Sequence, residues 1–459
     1  MENLGYSRLN LGLTFWPLPL ILLILLPIGF SVASSKWSIL ADYVGIAWIL
    51  GFPIIIISIV GGFKSRNVRM SNFDRKISDA IIFQIPTIAK NNVLPALQRV
   101  VDSILASAPT NLENWKINIV VEENSEGRDY LYKKYADNEN VNIVTVPADY
   151  QTRYHSLSKS RANQYAIEYL RAKGEIGRHT WIYHLDDDTS ICPETISALA
   201  EHIYRYGSIY YLAQGILSFP HSLSKSFVAK FADSMRPTDD LTRFYFFTNI
   251  MKLPLIGLHG ENMLVRSDIE ETVGWDNGDR AMSDDSCFAL SFAYMYPGRS
   301  AFMPAVTFGA SPANVKDMLK QRKRWFLNVS NLSFYGKVPF RYRLFMIYTI
   351  IFWISMVFQN VIFILFILRF LGLFNQVVIT PPVVILWAFT LSFWIWFYIS
   401  GLKINMELSG RKKDILKYSI IMIPMYLFII SPLELAGGFL GFLSFLKNDK
   451  SFEVISKPI

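Results

Sequence analysis

Cysteine is nearly missing from this sequence. Its 459 residues hold two, Cys192 and Cys287, and neither belongs to a Cys-x-x-Cys pair or a zinc-type spacing. That argues against a disulfide framework or a thiolate metal centre, and both thiols are expected to be reduced, in the cytosol. Internal repeats and low-complexity tracts are also lacking, which sets aside repeat architectures. A cleaved leader is a poor account of the N-terminus. The apolar run from Leu13 to Val32 is long, follows one basic residue (Arg8), and is soon followed by a second run.

Charge is scarce overall, at 18%, while 52% of the residues are hydrophobic and the mean hydropathy is positive. This is too apolar for an ordinary soluble enzyme and too polar for an all-helical transporter. A soluble-sized domain carried by a few membrane spans fits both limits. The net charge of +8 could suggest nucleic acid. In a membrane chain, however, lysine and arginine gather on cytoplasmic flanks, so the excess reads as topology and no nucleic-acid partner is expected.

Two spans are expected at Phe15–Val32 and Val44–Gly62, within residues 1–63. A basic flank with Lys64, Arg66, Arg69, Arg75 and Lys76 then marks a cytoplasmic side. Residues 64–340 read as a mixed domain of strands and helices. Strand-like runs fall at Ala80–Ile85, Ile117–Val121, Val141–Val146 and Thr180–Leu185. Helical patterns lie between them, with Leu94, Leu97, Val101, Ile104 and Leu105 on one face of the first and another at Ser156–Arg171, and a further one, Pro193–Tyr206, follows the fourth run. The alternation predicts an α/β domain whose mainly parallel sheet carries crossover helices, with ligands beyond the C-terminal strand ends.

Further spans are expected within 341–446, at Leu344–Phe370 and Val377–Ile399. The turn at Leu371–Gln376 between them is expected outside. A basic loop with Arg411, Lys412, Lys413 and Lys417 should be cytoplasmic, and the apolar stretch Tyr418–Leu446 should break at Pro432 as a re-entrant hairpin. A short tail, 447–459, would then return to the cytoplasm, where Lys447, Lys450 and Lys457 would favour it.

Three segments carry candidate chemistry. Trp181 to Thr189 is an apolar strand ending in Asp186, Asp187 and Asp188. Carboxylates crowded at a sheet edge repel one another, and an Asp-x-Asp spacing suits Mg²⁺ or Mn²⁺, hard ions that bridge to a diphosphate. The same residues could also form a solvated acidic turn. Asp284 and Asp285 precede the apolar run Cys287–Tyr296 and, alone, would be an ordinary helix cap. Gln321-Arg322-Lys323-Arg324-Trp325, close to the membrane, alone resembles an interfacial anchor, although arginine also clamps phosphates.

Together these segments resemble the processive-type branch of the family-2 glycosyltransferases, which includes cellulose, chitin and hyaluronan synthases. Ser234 to Phe244, Gly257-Leu258-His259-Gly260, Asp284 to Leu290, His184 before Leu-Asp-Asp-Asp, and Tyr150 to Arg161 are more specifically similar to the Egghead-type β-1,4-mannosyltransferases, which act on a glycolipid. The usual Glu-Asp pair is Asp284-Asp285 here, and Glu122 stands where that family has aspartate.

The resemblance implies a GT-A catalytic domain and an inverting, metal-dependent transfer of a hexose to a glycolipid or other membrane-associated glycan. GDP-mannose is favoured over a UDP-sugar, with Mn²⁺ or Mg²⁺ as cofactor. Carried over position by position, Pro86, Thr87, Glu122, Lys159, Arg161 and Asp186 would face the nucleotide-sugar. Asp188 and Asp186 would hold the metal. Asp285 would be the base, and Arg324 would stabilise the leaving diphosphate. Trp325, His259 and Asp284 would lie toward the acceptor, and Gln321 completes the motif. Two other readings stay open on the residues: a processive polysaccharide synthase using a UDP-sugar, and a non-catalytic membrane scaffold or receptor.

Overall fold

The computed structural model describes residues 9–33, 46–278, 284–373 and 379–449. The expected turn at 371–376 is described only as far as Leu373. Arg8, Lys450 and Lys457 lie outside the described residues, as do the start of the second expected span and the Asp284 side chain.

One seven-stranded sheet organises the domain, in the order β3-β2-β1-β4-β6-β5-β7. The strands are β1 (Ala80–Thr87), β2 (Trp115–Glu122), β3 (Val141–Val146), β4 (Thr180–His184), β5 (Leu212–Ser218), β6 (Met263–Arg266) and β7 (Ser300–Phe308). The first three contain their expected runs and β4 stops one residue short of Leu185; the four pair in parallel, so their C-terminal ends line one edge. Their crossovers are the helices Leu94–Ser107, Arg128–Tyr135 and Ser158–Ala172. Pro95 sits in the first turn of Leu94–Ser107, where a missing N–H costs nothing. Leu97, Val101 and Ile104 of that helix bury against Ile81, Phe83 and Ile85 of β1, giving the sheet one of its apolar layers.

The exception to the parallel order is β6, antiparallel to both β4 and β5, with His184 opposite Met263. Its reversal returns the 257–262 loop to the edge where β4 ends. Asn262 makes that turn at φ 54°. Its amide donates to the Ile216 and Ala305 carbonyls (2.9 and 3.0 Å), and its carbonyl accepts from the Tyr183 hydroxyl (2.8 Å). Three bonds to three strands hold a backbone conformation that asparagine tolerates better than most residues.

Among the described residues three helices are long and apolar enough to cross a membrane: Phe340–Phe370, Pro381–Leu408 and Lys412–Leu446, with 31, 28 and 35 residues. Shorter apolar helices occupy Pro17–Ser31, inside the first expected N-terminal span, and Ile49–Lys64, which runs two residues past the second. The expected hairpin at Pro432 does not form. Lys412–Leu446 is continuous, and a π-turn at Tyr426–Ile430 precedes the proline. Proline cannot donate an N–H, and its ring crowds the carbonyl four residues back; the wider π register accommodates both effects without breaking the helix.

Candidate active site

The acidic motif leaves β4 at the shared C-terminal edge. Asp186 and Asp187 are half-buried there, and Asp188 is buried with 5% of its surface exposed. Asp187 Oδ2 accepts from the Thr87 hydroxyl at 2.7 Å, tying the ends of β4 and β1 together. That hydroxyl in turn accepts from the Ala89 amide at 3.0 Å, which closes the turn after β1. Pro86 precedes it, half-buried.

Lys159, in the first turn of Ser158–Ala172, ion-pairs with Asp186 and donates to the Gly260 carbonyl at 2.7 Å. It therefore links the acidic motif to the loop that β6 brings back. Asp285 approaches the same place. A Cβ built on Gly260 would stand 2.8 Å from Lys159 Nζ and 3.3 Å from Asp285 Oδ2, so both charged groups close on this glycine. Glycine is required at Gly257, because its φ is 97° and a Cβ there would meet Ser286 Oγ at 2.6 Å. The loop thus rests directly on the start of the Asp284–Met295 helix. Asp285 Oδ1 accepts from the Ser286 amide at 2.6 Å, and Oδ2 faces the Gly260 loop.

Glu122, at the end of β2, pairs with Arg161, whose remaining donors reach the Tyr150 and Pro147 carbonyls at 3.0 and 2.7 Å. His259 is buried against the Phe244 ring and hydrogen-bonds Asp240, a carboxyl that burial pushes up and His259 pulls back down. His184 is wholly buried; its Nε2 is 3.0 Å from Glu270, which also accepts from the Trp275 indole at 2.7 Å. These contacts make His184 part of the core beneath the site.

Gln321, Arg324 and Trp325 stand half-buried on the helix Val315–Tyr335. The Arg236 and Arg322 guanidinium groups stack over the Trp325 ring at 4.0 and 4.3 Å from its centre. Arg322 is itself buried and bonded to Asp233 and Glu434, each at 2.9 Å.

Sequence reasoning assigned no role to Asp187, to the Gly260 carbonyl or to the Arg322 cluster. Only the last had a visible signal: Glu434 is the one acid in Tyr418–Leu446, and an ionisable group inside an apolar stretch asks for a partner.

Residues 181–399 match the family model described as glycosyl transferase family group 2. The match begins on β4 and takes in the acidic motif, Asp285 and the Val315–Tyr335 helix. Over this stretch the chain is similar to that family group. The chain is 24% identical over 271 residues to the β-1,4-mannosyltransferase egh of Drosophila melanogaster, which covers 59% of this chain and 55% of that relative. It thus spans about half the length of the relative it matches. The mannosyltransferase PcManGT of Pyrobaculum calidifontis, solved in complex with GDP-Man and Mn²⁺, superposes with a TM-score of 0.50 at 12% identity, covering 89% of this chain and 98% of that one. That likeness is one of fold, and the fold is GT-A.

Proposed function

We propose that this chain is a membrane-embedded, metal-dependent, inverting hexosyltransferase that moves mannose from GDP-mannose to a glycolipid or other membrane-associated glycan. The observation that carries the reading is Lys159, which joins Asp186 to the Gly260 carbonyl beside Asp285. One cation thereby brings a diphosphate-type motif and a candidate base, about a hundred residues apart in sequence, to one edge of the sheet.

The carboxylates suit a divalent ion. The family resemblance assigns Asp186 and Asp188 to that task, while Asp187 accepts from the Thr87 hydroxyl. Among the described residues no three His, Cys, Asp or Glu side chains gather into a metal site. The remaining ligands would be diphosphate and water oxygens, as Mg²⁺ and Mn²⁺ commonly take. When bound, the ion supplies charge neutralisation for the departing diphosphate.

The chain's own residues account for the rest. The acceptor hydroxyl oxygen bonds to the anomeric carbon as the carbon–oxygen bond to the diphosphate breaks, and Asp285 Oδ2 takes the hydroxyl proton. Negative charge grows on the leaving group, where Lys159 and Arg324 offset it. A single displacement inverts the anomeric centre, so an α-linked donor gives a β-glycoside.

The membrane setting rests on the three long apolar helices. The basic flanks at Lys64–Lys76 and Arg411–Lys417 support a cytoplasmic catalytic domain. Mannose rests on the resemblance to the Drosophila enzyme and on the shared motifs. The test is competition between nucleotides. GDP and UDP are titrated with Mn²⁺ present, following thermal stabilisation, which rises with ligand concentration over Kd. GDP is expected to stabilise at lower concentration. A clear preference for UDP would overturn the donor, and no Mn²⁺-dependent binding of either nucleotide would overturn the enzyme reading.

A further inference from the structure

A cavity of about 120 Å³ lies where Phe340–Phe370, Pro381–Leu408 and Lys412–Leu446 meet, and Trp325 forms part of its wall. Its lining is mainly apolar, with Phe352, Trp353, Met356, Phe363, Leu391 and Leu427. Several polar groups also reach it, and five of them, Arg243, Glu434, Gln359, Asn360 and Ser431, are engaged within the protein. Arg243 pairs with Asp239, and Glu434 with Arg322. The Gln359 amide donates to Ser355 Oγ at 3.2 Å. The Asn360 amide donates to the Met356 carbonyl at 2.9 Å, and the Asn360 carbonyl accepts from Ser431 Oγ at 3.2 Å. Polar groups bonded in this way make little demand for water or an ion, so the space left to an occupant is hydrocarbon in character.

Position narrows the occupant. The walls are helices long enough to cross a bilayer, whose interior offers aliphatic chains. The Trp325 wall belongs to the motif helix of the catalytic domain, and two arginines stack on that indole. We propose that this cavity holds one aliphatic chain of the acceptor lipid, with Trp325 at the junction between chain and head group. The inference rests on the transferase reading above and adds to it a chain-binding site, which would anchor the acceptor before its hydroxyl reaches Asp285.

Photolabelling tests it. The full chain, in phosphatidylcholine nanodiscs, is irradiated with a hexadecyl glucoside carrying a mid-chain diazirine, and the labelled peptides are mapped. Label is expected at Met356, Phe363 and Leu427 as well as at the exposed, lipid-facing Ile364 and Leu440. Met356→Trp or Leu427→Trp fills the space. Each should cut cavity labelling by about fourfold or more, the factor expected for each methylene denied burial. Labelling at Ile364 and Leu440 should stay level. Thermal stabilisation by GDP and UDP with Mn²⁺ checks that both variants are folded. Label confined to Ile364 and Leu440, or cavity label unmoved by both substitutions, overturns the proposal. The readout needs no turnover, so its failure is distinct from loss of nucleotide binding, which would refute the transferase reading itself.

Discussion

Lys159 donates to the Gly260 carbonyl at 2.7 Å while its ammonium pairs with Asp186, so one side chain spans the gap between two segments of the candidate site. Lys159→Ala removes both contacts. A hydrogen bond to a charged group contributes roughly 1.5–3 kcal/mol, so the KM for the nucleotide-sugar should rise roughly 10–100-fold. Steady-state kinetics at varied donor concentration checks this. A variant with unchanged donor KM would show that Lys159 only braces the fold.

Asp188→Asn should abolish turnover and weaken nucleotide-diphosphate binding in Mn²⁺, because a neutral amide is a poorer ligand for a hard cation. Asp186→Asn should do the same more mildly, since Lys159 already balances part of its charge. Calorimetric titration of GDP with and without Mn²⁺ reads both effects. Full activity in excess chelator would rule out metal dependence.

Asp285→Asn should keep donor affinity and lower kcat by roughly 10²–10⁴-fold, the usual cost of losing a general base. Arg324→Ala should damage donor binding and rate together, because the diphosphate is charged in the ground state and more so in the transition state. Pre-steady-state transfer with saturating donor separates the two patterns. Should Asp285→Asn lose affinity yet keep its saturated rate, Asp285 is a binding residue.

Acid should destabilise the catalytic domain through His202, which is buried beneath Trp181. Burial pulls its imidazole down to about 4 from the ordinary 6.5. Below about pH 6.5 the unfolded chain takes up a proton that the folded one refuses, so stability falls as pH drops toward 4, by about 3 kcal/mol in all. Above pH 6.5 this contribution is constant. The Tm of wild type should fall between pH 7 and pH 5, and His202→Leu should flatten that dependence. An equal slope in both would assign the acid response to other groups.

Much of the sheet was legible because local pattern and burial agreed. Val141–Val146 and Pro193–Tyr206 form with the bounds their patterns indicate. Strands β5, β6 and β7 were missed. Met263–Arg266 has only four residues, too few to show a period, and Leu212–Ser218 is buried throughout, so it has no alternation to read. Residue chemistry made the acidic motif visible, since three consecutive aspartates after an apolar strand repel whatever surrounds them.

By itself the sequence determined the α/β alternation, the apolar segments and the residue types gathered for diphosphate chemistry, because periodicity, hydrophobic length and charge are local properties. Tertiary structure alone decided that β6 runs backwards, that Lys159 meets both Asp186 and Gly260, and that Arg322 finds Asp233 and Glu434. It also decided that Lys412–Leu446 passes Pro432 as one helix. Those outcomes depend on contacts between residues far apart in the chain. Gly437 and Gly441 show the reason most directly: a Cβ on either would come within 3 Å of the Val315–Tyr335 helix. Close packing between these helices can reward a continuous helix enough to outweigh the proline's local preference to break it.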